Sequence, residues 1–325
     1  MTVHSLLIAF VACVVLLPVV AGAPEVTRPR LTGLSHVALF VKDVEQSRAF
    51  YKDFLGYAEP YSVNDDDGKL RLTFIKINDR QVIELFPERE AGSDRLNHIA
   101  LEVDDSEAMR AFLASKGVKV PDKVPKGRIG NSNFTIRDPD GHGVEIVQYE
   151  PDGWTMRERG KHLPDTRIAP RISHAGILVG DLEKAHRFYV DLFGMKETWR
   201  GSRDDKLLSW VNLTVPDGTD YLELMLHDRQ VTPQSRLISH HICLELSDVA
   251  AADAMLKSRP LPASCKPMTP AKVGRNGKRQ INLYDPDGTR VEVMEPTTAD
   301  GKPVPPSTAP IPPPAPTTQP QELLR

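Results

Sequence analysis

The sequence predicts an α+β protein built from four similar strand–helix–strand units, and three observations carry that reading. Four times a histidine opens a β-like run: His36 in HVALFV, His98 in HIALEV, His174 in HAGILV and His241 in HICLEL. A glutamate follows each one among apolar residues: Glu84 in VIELF, Glu145 in VEIV, Glu223 in LELML and Glu292 in VEVM. The separations are 48, 47, 49 and 51 residues. Helical periodicity follows the opening strand of the units, and recurrence at near-constant spacing marks an internally repeated fold.

Length and charge bound the chain first. Its 325 residues suffice for two domains with proper cores. A net charge of −3 with interspersed signs gives no electrostatic footprint for nucleic acid. Residues 1–23 read as a secretory signal peptide. The apolar run Leu6–Val20 is short for a membrane span of roughly twenty residues, and it leads into Ala21-Gly22-Ala23. The expected location is therefore secreted or periplasmic, with no stable membrane insertion after cleavage. Cleavage leaves Cys243 and Cys265, which permit one disulfide but no framework; two unpaired thiols is the simpler reading.

In the first unit Ser35–Val41 alternates as a strand. Asp43 caps a helical stretch whose Ser47, Phe50, Tyr51, Phe54 and Leu55 share one face, and Gly56 ends it. Leu70–Ile77 and Gln81–Pro87 follow as strands. The second unit, Leu96–Tyr149, repeats the order with a helix near Glu107–Lys116 and a hairpin turning at Asp138-Pro139-Asp140-Gly141. Residues 151–171, polar and Arg-rich, read as a linker between a domain at 31–150 and another at 172–297. The third unit starts at Ser173, with Leu182, Ala185, Phe188, Tyr189, Leu192 and Phe193 on its helix face and Gly194 closing it. The fourth, Ser239–Glu295, turns at Asp285-Pro286-Asp287-Gly288. Units one and three match best, as do two and four, so the chain reads as a duplicated two-unit domain. Residues 298–325 form a Pro-rich tail, expected to be disordered because proline removes amide donors and fixes φ.

A carboxylate inside an apolar strand is buried, which costs several kcal/mol unless its charge is compensated. A metal ion that also takes imidazole nitrogens would compensate it. The repeat register selects His241 over its neighbour His240. His142, His162, His186 and His227 fall outside the register and read as surface or turn residues. The residue two after each register histidine is small (Ala38, Ala100, Gly176, Cys243), and strand alternation puts it on the histidine's face. Such residues either leave volume for a substrate or pack against a curved sheet. Arg128 and Arg275 precede the two hairpins and either hold an anionic substrate group or are solvated loop charges.

His36-Val37-Ala38-Leu39-Phe40-Val41, followed by Ser47-x-x-Phe50-Tyr51 and Leu55-Gly56-Tyr57, resembles the glyoxalase I signature of the vicinal oxygen chelate superfamily, departing at Tyr57. His174 to Met195 resembles it equally, departing at Ala175. The superfamily also takes in extradiol dioxygenases, methylmalonyl-CoA epimerase and antibiotic-resistance proteins. The resemblance covers Leu31–Pro296 and implies four βαβββ modules paired into two cupped mixed sheets, each with a metal at its centre. Carried over by position, the ligands fall on His36, Glu84, His98 and Glu145 in the first half. In the second half they fall on His174, Glu223, His241 and Glu292.

Two imidazoles and two carboxylates suit Zn, Ni, Fe, Mn or Co and leave room for a small-molecule substrate. The implied reaction is glyoxalase I-like: isomerisation or lysis of a small α-hydroxycarbonyl or hemithioacetal compound. The ion would act as a Lewis acid toward an enediolate, and Glu145 or Glu292 would move the proton as base. Export sits poorly with lactoylglutathione lyase itself, because glutathione chemistry is mostly cytosolic. One alternative is an extradiol-type ring-cleaving dioxygenase. Its tyrosine position is Thr135 or Asn282 here, and its acid–base histidine has no counterpart among Lys272–Asn282. The other is a metal-free small-molecule-binding protein, against which the complete ligand sets count.

Overall fold

The computed structural model describes residues 26–91, 94–226 and 239–315. The expected signal peptide, His227 and residues 316–325 of the tail lie outside the described residues.

The first half runs β1 (Leu31–Val41), α1 (Val44–Arg48), β2 (Ala58–Asn64), β3 (Leu70–Lys76) and β4 (Val82–Pro87). It continues with β5 (Leu96–Val103), α2 (Ser106–Ser115), β6 (Ser132–Arg137) and β7 (Gly143–Gln148). A short helix, α3 (Trp154–Arg157), leads into the second half. There follow β8 (Arg171–Val179), α4 (Leu182–His186), β9 (Lys196–Ser202), β10 (Leu208–Thr214) and β11 (Tyr221–Leu226). The chain ends with β12 (His241–Glu245), α5 (Val249–Lys257), β13 (Lys272–Val273), β14 (Lys278–Tyr284) and β15 (Arg290–Thr298).

The strands form two curled mixed sheets, one per half, so the architecture is the α+β arrangement of paired modules. The seven-stranded sheet has the order β2-β3-β4-β1-β5-β7-β6 and the eight-stranded one β13-β14-β15-β12-β8-β11-β10-β9. In each, the opening strands of two units pair antiparallel at the centre, β1 with β5 and β8 with β12, and each also pairs parallel with its own unit's glutamate strand. The second unit is one strand short: where the fourth unit has β13, a single bridge joins Lys126 and Ser132.

Asp43 caps α1 as the sequence indicates, accepting from the Glu45 and Gln46 amides. The helix then widens. Leu55 N–H donates to Phe50 O at 2.9 Å, a five-residue step that makes a π-helical turn of Ala49–Phe54. The third unit does the same over Arg187–Leu192. Gly56 ends the first of these at φ +81°, where a side chain would also meet Thr166 O, so only glycine fits. The apolar helix faces are buried, and one core cluster runs through both halves. Across their junction Tyr51 Oη donates to Asp285 Oδ2 (3.1 Å), and Tyr189 Oη donates to Asp138 Oδ2 (2.9 Å). Each helix therefore reads the hairpin turn of the other half.

Two sequence expectations change. The segment 151–171 is more than a linker: Trp154 is buried against Phe74 and Tyr61 at ring separations of 5.9 and 5.3 Å. The tail, expected to be disordered from residue 298, is laid along the second half as far as Ala315. Thr298 still belongs to β15, Ser307 N–H donates to Arg200 O (2.9 Å), and Ala315 N–H donates to Gly180 O (2.7 Å). The Leu208 amide donates to Pro310 O (2.8 Å), and Pro312 is buried. Proline's lack of a donor does not stop its carbonyl from accepting. Among the described residues no helix is long and apolar enough to cross a membrane.

Candidate metal centre

Strand register builds the first site. Ala38 lies beside Glu84 on β4 and faces His98 on β5. Two residues along, Ala100 faces His36 and lies beside Glu145 on β7. The four functional side chains therefore leave one face of four adjacent strands. His36 Nε2 and His98 Nε2 are 2.9 Å apart. Glu145 Oε2 is 2.8 Å from His98 Nε2 and 3.3 Å from His36 Nε2, and Glu84 Oε2 stands off at 3.8 and 3.7 Å. The small residues answer to packing: each makes room for the imidazole of the neighbouring unit. In the second half a Cβ on Gly176 would come within 1.8 Å of His241 Cε1.

The other ring nitrogens of the first site face oxygens. His36 Nδ1 is 3.0 Å from Ser35 Oγ, which also accepts from Tyr149 Oη at 2.7 Å. His98 Nδ1 is 3.2 Å from Asn97 Oδ1. An Nδ1–H donated to such an acceptor turns the Nε2 lone pair toward the cluster, the arrangement that metal-ligating histidines adopt. Burial pushes the His36 pKa down, but Glu84 and then Glu145 outweigh it and raise it. Burial likewise pushes both carboxyls up. Contacts from His36 and His98 reverse that for Glu145, which is held well below the usual range, whereas Glu84 stays raised. The donor set fits a divalent cation: two carboxylates, two imidazoles and, among the described neighbours, no cation that perturbs His36 or Glu84. The cluster floors a cavity of about 390 Å³. Phe74, Leu72, Val63 and Trp154 give it an apolar wall, and Arg71, Lys126 and Arg128 contribute cationic lining.

The second half repeats the register, with Glu223 beside Gly176, Gly176 facing His241, His174 facing Cys243, and Cys243 beside Glu292. His174 Nε2 and His241 Nε2 are 3.1 Å apart, and Glu292 Oε2 is 3.6 Å from His174 Nε2. Glu223 Oε1 is 3.5 Å from His241 Nε2. At two register positions beside the histidines the neighbours differ from the first half. Where Gly143 lies beside His98, Arg290 lies beside His241. Where Val82 lies beside His36, Tyr221 lies beside His174 and stacks on its ring at 4.4 Å. Burial, Arg290 and Lys278 all push His174 well below its ordinary pKa, and burial and Arg290 do the same to His241. Burial, with the Glu292 charge, raises Glu223 to about 8.

The remaining candidates sort themselves by contact. Arg128 donates to Asn64 O (2.8 Å), and Arg275 Nε to Arg203 O (3.1 Å), so each ties its loop to a hairpin on the far side of its own cup. Cys243 and Cys265 are both free thiols. His162 is exposed and His186 half-buried, while His142 closes the hairpin turn and is buried there, with Nδ1 2.7 Å from Asp138 Oδ2. His240 is also buried, with Nδ1 3.1 Å from Asp94 Oδ1. Sequence reasoning passed over Ser35, Tyr149 and Arg290. For Arg290 a signal existed, two residues before the glutamate, where GVE in one half reads RVE in the other.

Comparison with known proteins places the chain. A family model described as Glyoxalase/Bleomycin resistance protein/Dioxygenase superfamily matches residues 33–146 and 171–293. Lactoylglutathione lyase of Schizosaccharomyces pombe is 24% identical over 307 residues, covering 81% of this chain and 96% of that enzyme. Two solved structures share the fold at a TM-score of 0.61. One is the Mn(II)-bound glyoxalase from Novosphingobium aromaticivorans, at 18% identity over 91% of this chain and 90% of that one. The other is an extradiol ring-cleaving dioxygenase from B. fuscum, at 17% identity over 90% of this chain and 77% of that one.

Proposed function

Because the chain belongs to the Glyoxalase/Bleomycin resistance protein/Dioxygenase superfamily, we propose that its first half is a divalent-metal-dependent lyase or isomerase of glyoxalase I type. Its substrate in this reading is a small α-hydroxycarbonyl or hemithioacetal compound. One observation carries the reading: two imidazole nitrogens lie 2.9 Å apart, and each of two carboxylates comes within 3.8 Å of both, on the floor of an open cavity. His36, Glu84, His98 and Glu145 would hold the ion, which supplies Lewis acidity to a pair of substrate oxygens. The protein does the rest. Trp154 and Phe74 bury the apolar part of a substrate and exclude water, and Arg71 attracts an anionic group. Glu145 moves the proton between neighbouring carbons, with Glu84 as its partner. The Leu6–Val20 run adds the proposal that this chemistry occurs after export, on a substrate that need not contain glutathione.

Chelation followed by reconstitution tests the reading. Turnover of hemithioacetals of methylglyoxal, formed with glutathione or with simpler thiols, should vanish with the ion. It should return with one of Zn, Ni, Mn, Co or Fe. Turnover untouched by complete metal removal would overturn the proposal, and oxygen uptake on catechols with iron alone would replace it with ring cleavage.

A further inference from the structure

The two cups carry the same four-residue pattern, two histidines and two glutamates, but differ in what reaches the histidine of the later central strand, His98 or His241. In the second half, Arg290 Nη2 donates to His241 Nδ1 at 2.7 Å, and its Nη1 lies 3.3 Å from Glu292 Oε1. A guanidinium has donors and no acceptor, and it does not deprotonate in proteins. His241 Nδ1 must therefore accept, which leaves the ring hydrogen of the neutral imidazole on Nε2, the nitrogen turned toward the cluster. That N–H points at His174 Nε2, 3.1 Å away, while His174 Nδ1 faces Ser173 Oγ at 3.4 Å. Arg290, His241, His174 and Ser173 thus form a chain of donors and acceptors that occupies both Nε2 atoms facing the cluster, with the Ser239 backbone as a further partner of His241. The first half has no equivalent, because Gly143 occupies the matching place: a Cβ there would already come within 2.9 Å of the His98 Cβ.

The charge argument points the same way. Two carboxylates buried in an apolar cup require positive charge nearby. In the first half no guanidinium or ammonium group among the described residues reaches the two carboxylates, and a bound cation would provide the charge; in the second the guanidinium beside Glu292 already does. A divalent ion added there would have to displace Arg290 or be repelled by it at contact distance.

We propose that Arg290 stands in the metal's place in the second cup, so that each chain carries one divalent ion, held in the first half. The inference concerns the second half and does not depend on which reaction the first half performs. The metal content of the full chain, reconstituted and freed of loose ions, tests it. Elemental analysis should give about one ion per chain for the wild type and for His174→Ala, none for His98→Ala, and about two for Arg290→Gly. Two ions in the wild type, falling to one in His174→Ala, would overturn it, as would a folded Arg290→Gly that stays at the wild-type count. Should Arg290→Gly fail to fold, the wild-type protein still decides. Ring ¹⁵N shifts should show Nε2 of His241 protonated in the metal-loaded protein, and a deprotonated Nε2 there refutes the assignment. A wild type that holds no ion at all overturns both the function proposed above and the count of one ion per chain, and the role of Arg290 alone is then decided by whether Arg290→Gly gains one.

Discussion

His36 and His174 occupy matching places in their sheets, each buried beside two glutamates, and their surroundings push them in opposite directions. Glu84 and Glu145 outweigh burial at His36 and raise its pKa, whereas burial, Arg290 and Lys278 together lower that of His174. The ligand residues are the same, so the difference comes from their neighbours. Exchanging Val for Tyr at one register position and Gly for Arg at another fills the second cup and supplies its positive charge from within. A complete set of ligand side chains is thus necessary for a metal site but not sufficient. The atoms behind the imidazoles decide which nitrogen presents a lone pair.

The sharpest way to break this contrast is to change the same carboxylate in each half. Glu145→Gln keeps a carbonyl ligand and removes the basic oxygen, so turnover should fall by about 10² to 10⁴ with the metal retained. Glu292→Gln should leave turnover within a factor of about three, since its partner is Arg290 rather than a substrate. Equal losses in the two variants would mean that both cups are active. Glu84→Gln provides the internal control: a larger loss there than at Glu145, at full metal load, would move the base to Glu84, whose carboxyl burial pushes up.

A middle-sized effect should come from the residues behind the histidines. Tyr149 holds Ser35, and Ser35 meets His36 Nδ1; the position matching Tyr149 in the second half is Pro296, which has no hydroxyl to offer. Ser35→Ala should weaken metal binding by about 10- to 100-fold, the usual cost of losing an outer partner of a ligand histidine. Ser173→Ala should leave metal affinity unchanged. A competition titration against a chromophoric chelator measures both, and equal weakening would contradict the one-ion assignment.

Much of this could be read from the chain itself. The repeat of histidine and glutamate, strand alternation around Ser35–Val41 and the Asp43 cap are local patterns, and local patterns survive in sequence. What could not be read depends on register between strands far apart in the chain. That Ala38 sits between Glu84 and His98 requires β4, β1 and β5 to be aligned first. The meaning of Arg290 requires β12 and β15 to be aligned, because a lone arginine before an apolar strand looks like any solvated charge. Tyr51 and Tyr189 looked like core residues on a helix face, and they are buried, but their hydroxyls bind the turn of the opposite half. Proline content misled at the tail, where backbone carbonyls and amides still find partners on β9 and β10.

The smallest expected effect lies at that junction, where the two halves also differ. Asp138 faces His142 and Tyr189; burial pushes its carboxyl up, but the His142 charge and hydrogen bonds hold it below its ordinary value. Asp285 has Thr289 where Asp138 has His142, and burial together with the Asp287 charge lifts it to about 7. The signs follow from linkage. A lowered carboxyl contributes stability above its unfolded pKa and loses it as pH falls through its folded value. A raised one contributes below its unfolded pKa, and that contribution is lost as pH rises from about 4 through about 7. Asp285→Asn, which still offers Tyr51 an acceptor, should therefore be neutral only below about pH 4 and already slightly ahead of the wild type at pH 5. At pH 8 it should gain on the wild type by about 1 kcal/mol, because the wild type must then carry a buried charge near Asp287. Asp138→Asn should cost about 1 to 3 kcal/mol at pH 6 and above, the worth of hydrogen bonds to a charged acceptor. Urea unfolding at pH 5, 6 and 8 measures all of these. If Asp285→Asn loses stability at pH 8 as Asp138→Asn does, the two turns are electrostatically alike, and the contrast between the halves is confined to the cups.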